Sequence, residues 1–307
     1  GVGRGALSKG RSSHVFLVFG KRGQLASALA RIAHAEGASV VCYGRDAVDL
    51  ADSGAVGALV RSVRPTLVVN AAAYTAVDRA EDEPAAAFAL NRDGPAALAE
   101  VCAAIDVPLV HVSTDYVFDG AKPAPYVETD PKAPLNVYGR SKSEGEDRVL
   151  EAHPRAAVLR TSWVYGPSGA NFVRTMLRLA ATRDEVAVVD DQHGRPTAAR
   201  DLAAACLTAG RALLDREPAA AGLFHYAGQG DASWADVAEA AFAGWARHGH
   251  RTPALRRIPT AQFPTRAARP RNSRLDTGKI ERVLGLRPVA WREALDRCVD
   301  EIAMSAP

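Results

Sequence analysis

From His14 onward, short apolar runs rich in β-branched residues alternate with alanine-rich stretches of helical period. "VFLVFG" is followed by "QLASALARIAHAEG", "ASVVCY" by "SGAVGALVRSVR", and "TLVVNAA" by "AAAFALNRDGPAALAEVCAAI" before "PLVHVST". Continuous apolar runs belong to strands covered on both faces, and strands separated by helices pair in parallel. The predicted class is therefore α/β, a doubly wound parallel sheet with helices on both faces. "AAVLRTS" adds another buried run, after which the rhythm loosens. Strand-like "EVAVVDD" and "GLFHYAG" then alternate with helices, and a Pro/Arg-rich tract follows at residues 257–275. The expected division is 1–13 as a disordered extension or tag remnant, 14–162 as a dinucleotide-binding domain, and 163–307 as sheet completion interleaved with a smaller C-terminal substrate lobe.

A chain of 307 residues buries ample apolar surface without staples. Its four cysteines, Cys42, Cys102, Cys206 and Cys298, are far apart and form no Cys-x-x-Cys pair, which argues against a disulfide framework or zinc site and fits a reducing cytoplasm. A net charge of +3, with both signs interspersed, is too mild for a nucleic-acid footprint. No apolar run reaches transmembrane length. Neither nucleic acid nor membrane is expected as a partner, and acidic small molecules remain.

The first strand ends in "GKRGQLA", where Gly20 and Gly23 hold two positions of a G-x-x-G-x-x-G fingerprint and Ala26 the third. Gly20 permits a tight turn, and Gly23 lets backbone amides approach a pyrophosphate at the helix N-terminus, where the dipole favours anions. A glycine pair also suits a plain strand–helix turn, but its place between the first buried strand and an amphipathic helix favours the nucleotide. At the end of the second strand, "CYGRDAVDL" offers Arg45, which either pairs with a ribose 2′-phosphate, tilting the cofactor to NADPH over NADH, or is simply solvated.

"PLVHVST" brings Ser113 and Thr114 to the carboxyl end of a parallel strand, where open α/β sheets bind ligands. In "NVYGRSKSEGE", Tyr138 and Lys142 share one helix side, as a surface pair or as a proton donor with its cation. A tyrosine of ordinary pKa about 10 serves as an acid near neutrality when a cation stabilises its anion, and a shift of roughly 2–3 units is worth about 3–4 kcal/mol. With Thr114 close by, chemistry is the expectation.

The chain resembles the extended short-chain dehydrogenases/reductases, and within them the dTDP-4-dehydrorhamnose reductase family. "FGKRGQLA", "STDYVFDG", "ETDPKAPLNVYGRSKSEGE", "RTSWVYG", "NFVRTMLRLA" and "DQHGRPT" carry the resemblance, which runs from about residue 15 to 290. It implies a Rossmann-type fold and reduction, by NADPH or NADH, of the C4 ketone of a dTDP-sugar to give dTDP-L-rhamnose. Tyr138 would donate the proton, Lys142 would hold the nicotinamide ribose and lower the tyrosine pKa, and Thr114 would bind the reacting oxygen. Arg22, Gly23 and Gln24 would face the pyrophosphate, Asp49 and Leu50 the adenine, and Ala73, Tyr74 and Thr75 the inner half of the cofactor. Thr114, Asp115 and Trp163 would contact the sugar nucleotide, the indole stacking on thymine, with Asn171, Gln192 and Arg269 as further substrate residues. Some relatives bind magnesium at a dimer interface. The corresponding positions are Ala28 and Arg200, so no metal is expected, and monomer and homodimer both stay open. Sequence-related dehydratases continue Thr-Asp-Glu where this chain has Thr114-Asp115-Tyr116, which argues against dehydration. A non-catalytic NADP-binding regulatory subunit is the rival from another class, and a related 4-ketoreductase for another dTDP-6-deoxyhexose stays open beside it.

Overall fold

Strand β1 (Val15–Phe19) is apolar throughout because both of its faces are covered. Phe16 and Val18 meet Leu67, Val69, Leu29 of helix α1 (Gln24–Ala35) and Leu202 of the Ala199–Leu214 helix. Leu17 and Phe19 point the other way, into a core with Val68, Val60 of helix α2 (Ser53–Val63) and Leu98. Each such side chain, fully buried, stabilises by about 1.5–3 kcal/mol, which locks the strand between the helical layers. The structure, a computed structural model, describes residues 14–305. The expected extension at 1–13 lies outside them.

Strands β2 (Ser39–Tyr43), β3 (Leu67–Asn70), β4 (Leu109–Thr114) and β5 (Ala156–Thr161) join β1 in a six-stranded sheet that the Gly222–His225 strand completes. Its order is Gly222–His225, β5, β4, β3, β1, β2, with all neighbours parallel. The chain runs from β1 to β2 on one side and then to β3 on the other. The crevice between β1 and β3 is thus the topological switch point where doubly wound sheets bind ligands.

The stretch from Pro84 to Ala104 turns through a π-helical segment, Ala89–Asp93, just before Gly94 and Pro95. Proline lacks an N–H and crowds the preceding turn, and a wider turn accommodates it. The turn also aims Asn91 into the protein.

Beyond Ser162 the chain serves two cores. The Ala199–Leu214 helix packs on the main sheet, whereas the Phe172–Ala180, Trp234–Arg247 and Trp291–Ser305 helices enclose Tyr165, Leu177, Val237 and Leu295. A parallel pair, Glu185–Val189 with Ala254–Ile258, borders this second group. No described helix is long and apolar enough to cross a membrane.

Candidate active site

The turn after β1 needs its glycines for different reasons. Gly20 has φ +117°, a conformation that L side chains rarely adopt, and a Cβ there would lie 3.4 Å from that of buried Ala26. Gly23 caps α1 without any side-chain cap, and space is open where its Cβ would stand. The unpaired N–H groups of the first turn and the positive end of the dipole therefore face a cleft. The outer part of that cleft, of about 440 Å³, is lined by Gly20, Arg22, Arg45, Asp49, Leu50, Ala73, Tyr74 and Thr75. An inner part of about 480 Å³ shares Arg22, Ala73 and Thr75 and adds Gly23, Gln24, Thr114, Asp115, Tyr138, Lys142 and Trp163. Every residue expected at the cofactor thus borders one groove along the carboxyl edge of the sheet. Arg45 is largely exposed and lies 3.5 Å from Asp49, leaving its guanidinium accessible.

Asn136 begins the Val137–Ala152 helix by accepting the Gly139 N–H at 2.7 Å. A Cβ at Gly139 would stand 2.2 Å from the Tyr116 carbonyl, so glycine lets the helix press onto the turn after β4 and sets Tyr138 beside Thr114. The Tyr116 and Tyr138 rings meet edge-on, 5.6 Å apart. Lys142, one turn on, is buried and donates to the Val112 carbonyl at 2.6 Å.

The electrostatics differ from the sequence expectation. Burial pushes the Tyr138 hydroxyl up to about 12, with the Thr114 hydroxyl opposing the rise and Asp115 adding to it. Burial also brings Lys142 down to about 8, against the pull of Glu146. Desolvation, which penalises both charged forms, is the largest influence on each group, and the Val112 carbonyl holds the ammonium in place. Any lowering of Tyr138 must come as ligands change these surroundings.

Three expected substrate residues stand outside the lining. Asn171 caps the Phe172–Ala180 helix, accepting from Arg174 N and donating to Gly166 O. Arg269 pairs with Asp78 at 2.8 Å and lies behind the Tyr116 ring. Gln192 accepts from Trp234 Nε1 at 3.2 Å and donates to Thr260, so it holds Trp234 in place.

Trp163 borders the cleft, but with φ +49° its indole stacks on Trp234, the ring centroids 3.6 Å apart. A Cβ on Gly194 would touch the ring-fusion atoms of Trp163, so the cleft presents an aromatic pair rather than a free indole.

Trp234 and Asn91 escape a reading of the sequence. Trp234 starts a helix behind the Ser233/Asp236 capping box, a helix signal that says nothing of the cleft. Asn91 is fully buried, accepts from Tyr74 N, and donates to Tyr74 O and Ser141 Oγ. It ties the cofactor-side loop to the Tyr138 helix. Gly94-Pro95 inside a helical run is the one sequence signal of the π-helical turn that aims it.

Buried polar atoms are normally paired. Gln24 Oε1, Ser113 Oγ, Asp115 Oδ2 and Thr161 Oγ1 make no hydrogen bond among the described residues, and all four residues line the inner cleft. Together with the glycine turn, this donor and acceptor set suits a dinucleotide and a polar substrate. The residues at the expected metal position do not suit a cation. Ala28 and Arg200 border a hollow with Arg31 and Glu301, whose carboxylate already pairs with Arg31 at 2.8 Å.

A doubly wound sheet with Thr114, Tyr138 and Lys142 at its carboxyl edge, beside a glycine turn, has the architecture of the extended short-chain dehydrogenases/reductases. The family model described as RmlD substrate binding domain matches residues 14–304, and the chain belongs to that family. It is 48% identical over 283 residues to a dTDP-4-dehydrorhamnose reductase of Sinorhizobium fredii, covering 92% of this chain and 95% of the relative. A second protein of that name, from Aggregatibacter actinomycetemcomitans, is 41% identical over 91% of this chain and 96% of its own length. The crystal structure of dTDP-4-dehydrorhamnose reductase from Bacillus anthracis in complex with NADP superposes with a TM-score of 0.87 at 33% identity, covering 94% and 99% of the two chains.

Proposed function

We propose that this chain reduces the C4 ketone of dTDP-4-dehydro-6-deoxy-L-mannose to dTDP-L-rhamnose. The observation that carries this reading is the meeting of Tyr138, Thr114 and Lys142 in one cleft continuous with the glycine turn. The names of relatives aligned over nearly their whole length support the substrate class. When bound, NADPH or NADH supplies the hydride that forms the new C4–H bond. Tyr138 gives its hydroxyl proton to the ketone oxygen as that oxygen gains the electron pair of the C=O bond. Thr114 donates a hydrogen bond to the same oxygen, and Lys142 supplies positive charge behind the resulting tyrosinate. The Gly23 turn and the N-terminus of α1 receive the pyrophosphate, and Arg45 faces the ribose side. The Trp163–Trp234 pair forms the wall on which the thymine is seated. Four free cysteines, three of them buried, suit a cytoplasmic enzyme. The test is NADPH oxidation by the purified chain alone with a panel of 4-keto sugar nucleotides. Turnover with the dTDP-deoxyhexose supports the reading, and NADP binding without turnover refutes it.

A further inference from the structure

Thr114 has one hydroxyl proton and two lone pairs, and its neighbours compete for them. Its Oγ1 accepts the Tyr116 backbone N–H at 3.2 Å and donates to Asp115 Oδ1 at 3.1 Å. Asp115 is 3% exposed and borders the inner cleft; its Oδ2 makes no hydrogen bond among the described residues, with the Ser273 hydroxyl nearby. An ionised carboxyl has no proton to give, so in the Thr114–Asp115 bond it takes the only one Thr114 owns, the one that otherwise serves the Tyr138 hydroxyl or a ketone. A protonated carboxyl reverses the bond: Asp115 donates to Thr114, and the threonine proton is freed toward the cleft.

We propose, on the strength of the reductase reading, that Asp115 works in its acid form as a positioning residue that makes Thr114 a donor to the reacting oxygen. The surroundings favour that form. The groups facing Asp115 are Thr114 at the end of β4, Tyr116 on its own turn, Tyr138 on the Val137–Ala152 helix and Ser273 on the Asn272–Ser273 strand, none of them cationic. The nearby cations are engaged elsewhere, Lys142 by the Val112 carbonyl and Arg269 by Asp78. Burial accordingly lifts the Asp115 carboxyl to about 7, with the Ser273 and Thr114 hydroxyls opposing. The reaction points the same way, because hydride arrival builds negative charge on the ketone oxygen, which an adjacent carboxylate would repel.

Two measurements test this. In infrared difference spectra of the enzyme without substrate, with Asp115→Asn as reference, a carboxylic-acid carbonyl band is expected near pH 6 and should be lost by about pH 8. In kinetics, wild-type kcat/KM should fall about tenfold per pH unit above neutrality as the acid form is lost. Asp115→Asn, whose amide N–H donates to Thr114 at every pH, should lack this limb, keeping only those of Lys142 near 8 and Tyr138 near 12. Asp115→Ala should be slower throughout, with no rescue at low pH. A neutral limb that survives in Asp115→Asn overturns the proposal, and so does a carboxylate band at both pH values in an enzyme that turns over. The acid band in an enzyme that reduces no 4-keto sugar nucleotide refutes the reductase reading, and the donor role falls with it.

Discussion

Replacing Glu146 by glutamine should destabilise the protein and move its alkaline activity limb at the same time. Glu146 and Arg160 are 1% and 2% exposed, and the guanidinium donates from Nε to Oε1 at 2.8 Å and from Nη2 to Oε2 at 2.7 Å. Glutamine preserves one acceptor and removes the charge, leaving Arg160 with the Phe118 ring 5.0 Å away and His225 Nε2 at 3.3 Å. His225 is brought down to about 3 by burial and by Arg160, so it is neutral and offers the guanidinium only a lone pair, not a charge. Breaking a buried pair from one side costs about 3–5 kcal/mol, and the surviving acceptor puts this variant near 3. At roughly 2–4 °C per kcal/mol for a chain of this size, Tm should fall by about 6–12 °C. Glu146 also raises Lys142, so its loss should depress the lysine further. A cation is lost above its pKa, and a lower pKa shifts the alkaline limb to lower pH. That limb is best read on the Asp115→Asn background. Thermal unfolding supplies the main assay, with Glu146→Leu/Arg160→Met as the control that removes both charges and should regain most of the loss. A Glu146→Gln protein melting within about 2 °C of wild type would refute the reasoning.

Tyr138→Phe should bind NADPH normally, as measured by fluorescence titration, and lose about 10²–10⁴ in kcat with the proton donor. Arg45→Ala should raise KM for NADPH several-fold and leave KM for NADH unchanged; an unaltered ratio means the arginine is only solvated. Excess chelator should change neither rate nor sedimentation, since Ala28 and Arg200 offer no ligand. A loss of either that magnesium restores would show other carboxylates serving that position.

The sheet was legible because strands covered on both faces must be apolar at every position, as in "VFLVF" and "TLVVN". Glycine spacing likewise located the turn at Gly20 and Gly23, because backbone conformation is a local property. Long-range partners were not legible. The pairing of Arg269 with Asp78 and the stack of Trp163 on Trp234 join residues far apart in the chain, and neither spacing nor residue type announces them. Lys142 was expected to lower Tyr138, whereas burial is the largest influence on both groups, and burial depth has no signature in a Tyr-x-x-x-Lys pattern. Asn91 depends on a π-helical turn before Pro95, within a run that reads in the sequence as one continuous helix.

The most direct test follows the hydride. The enzyme, given dTDP-4-dehydro-6-deoxy-L-mannose and NADPH deuterated at the transferable position of the nicotinamide, should release dTDP-L-rhamnose carrying one deuterium at C4. Tyr138→Phe should form the same labelled product far more slowly. Unlabelled product, label at another carbon, or a sugar nucleotide recovered unreduced would contradict the account.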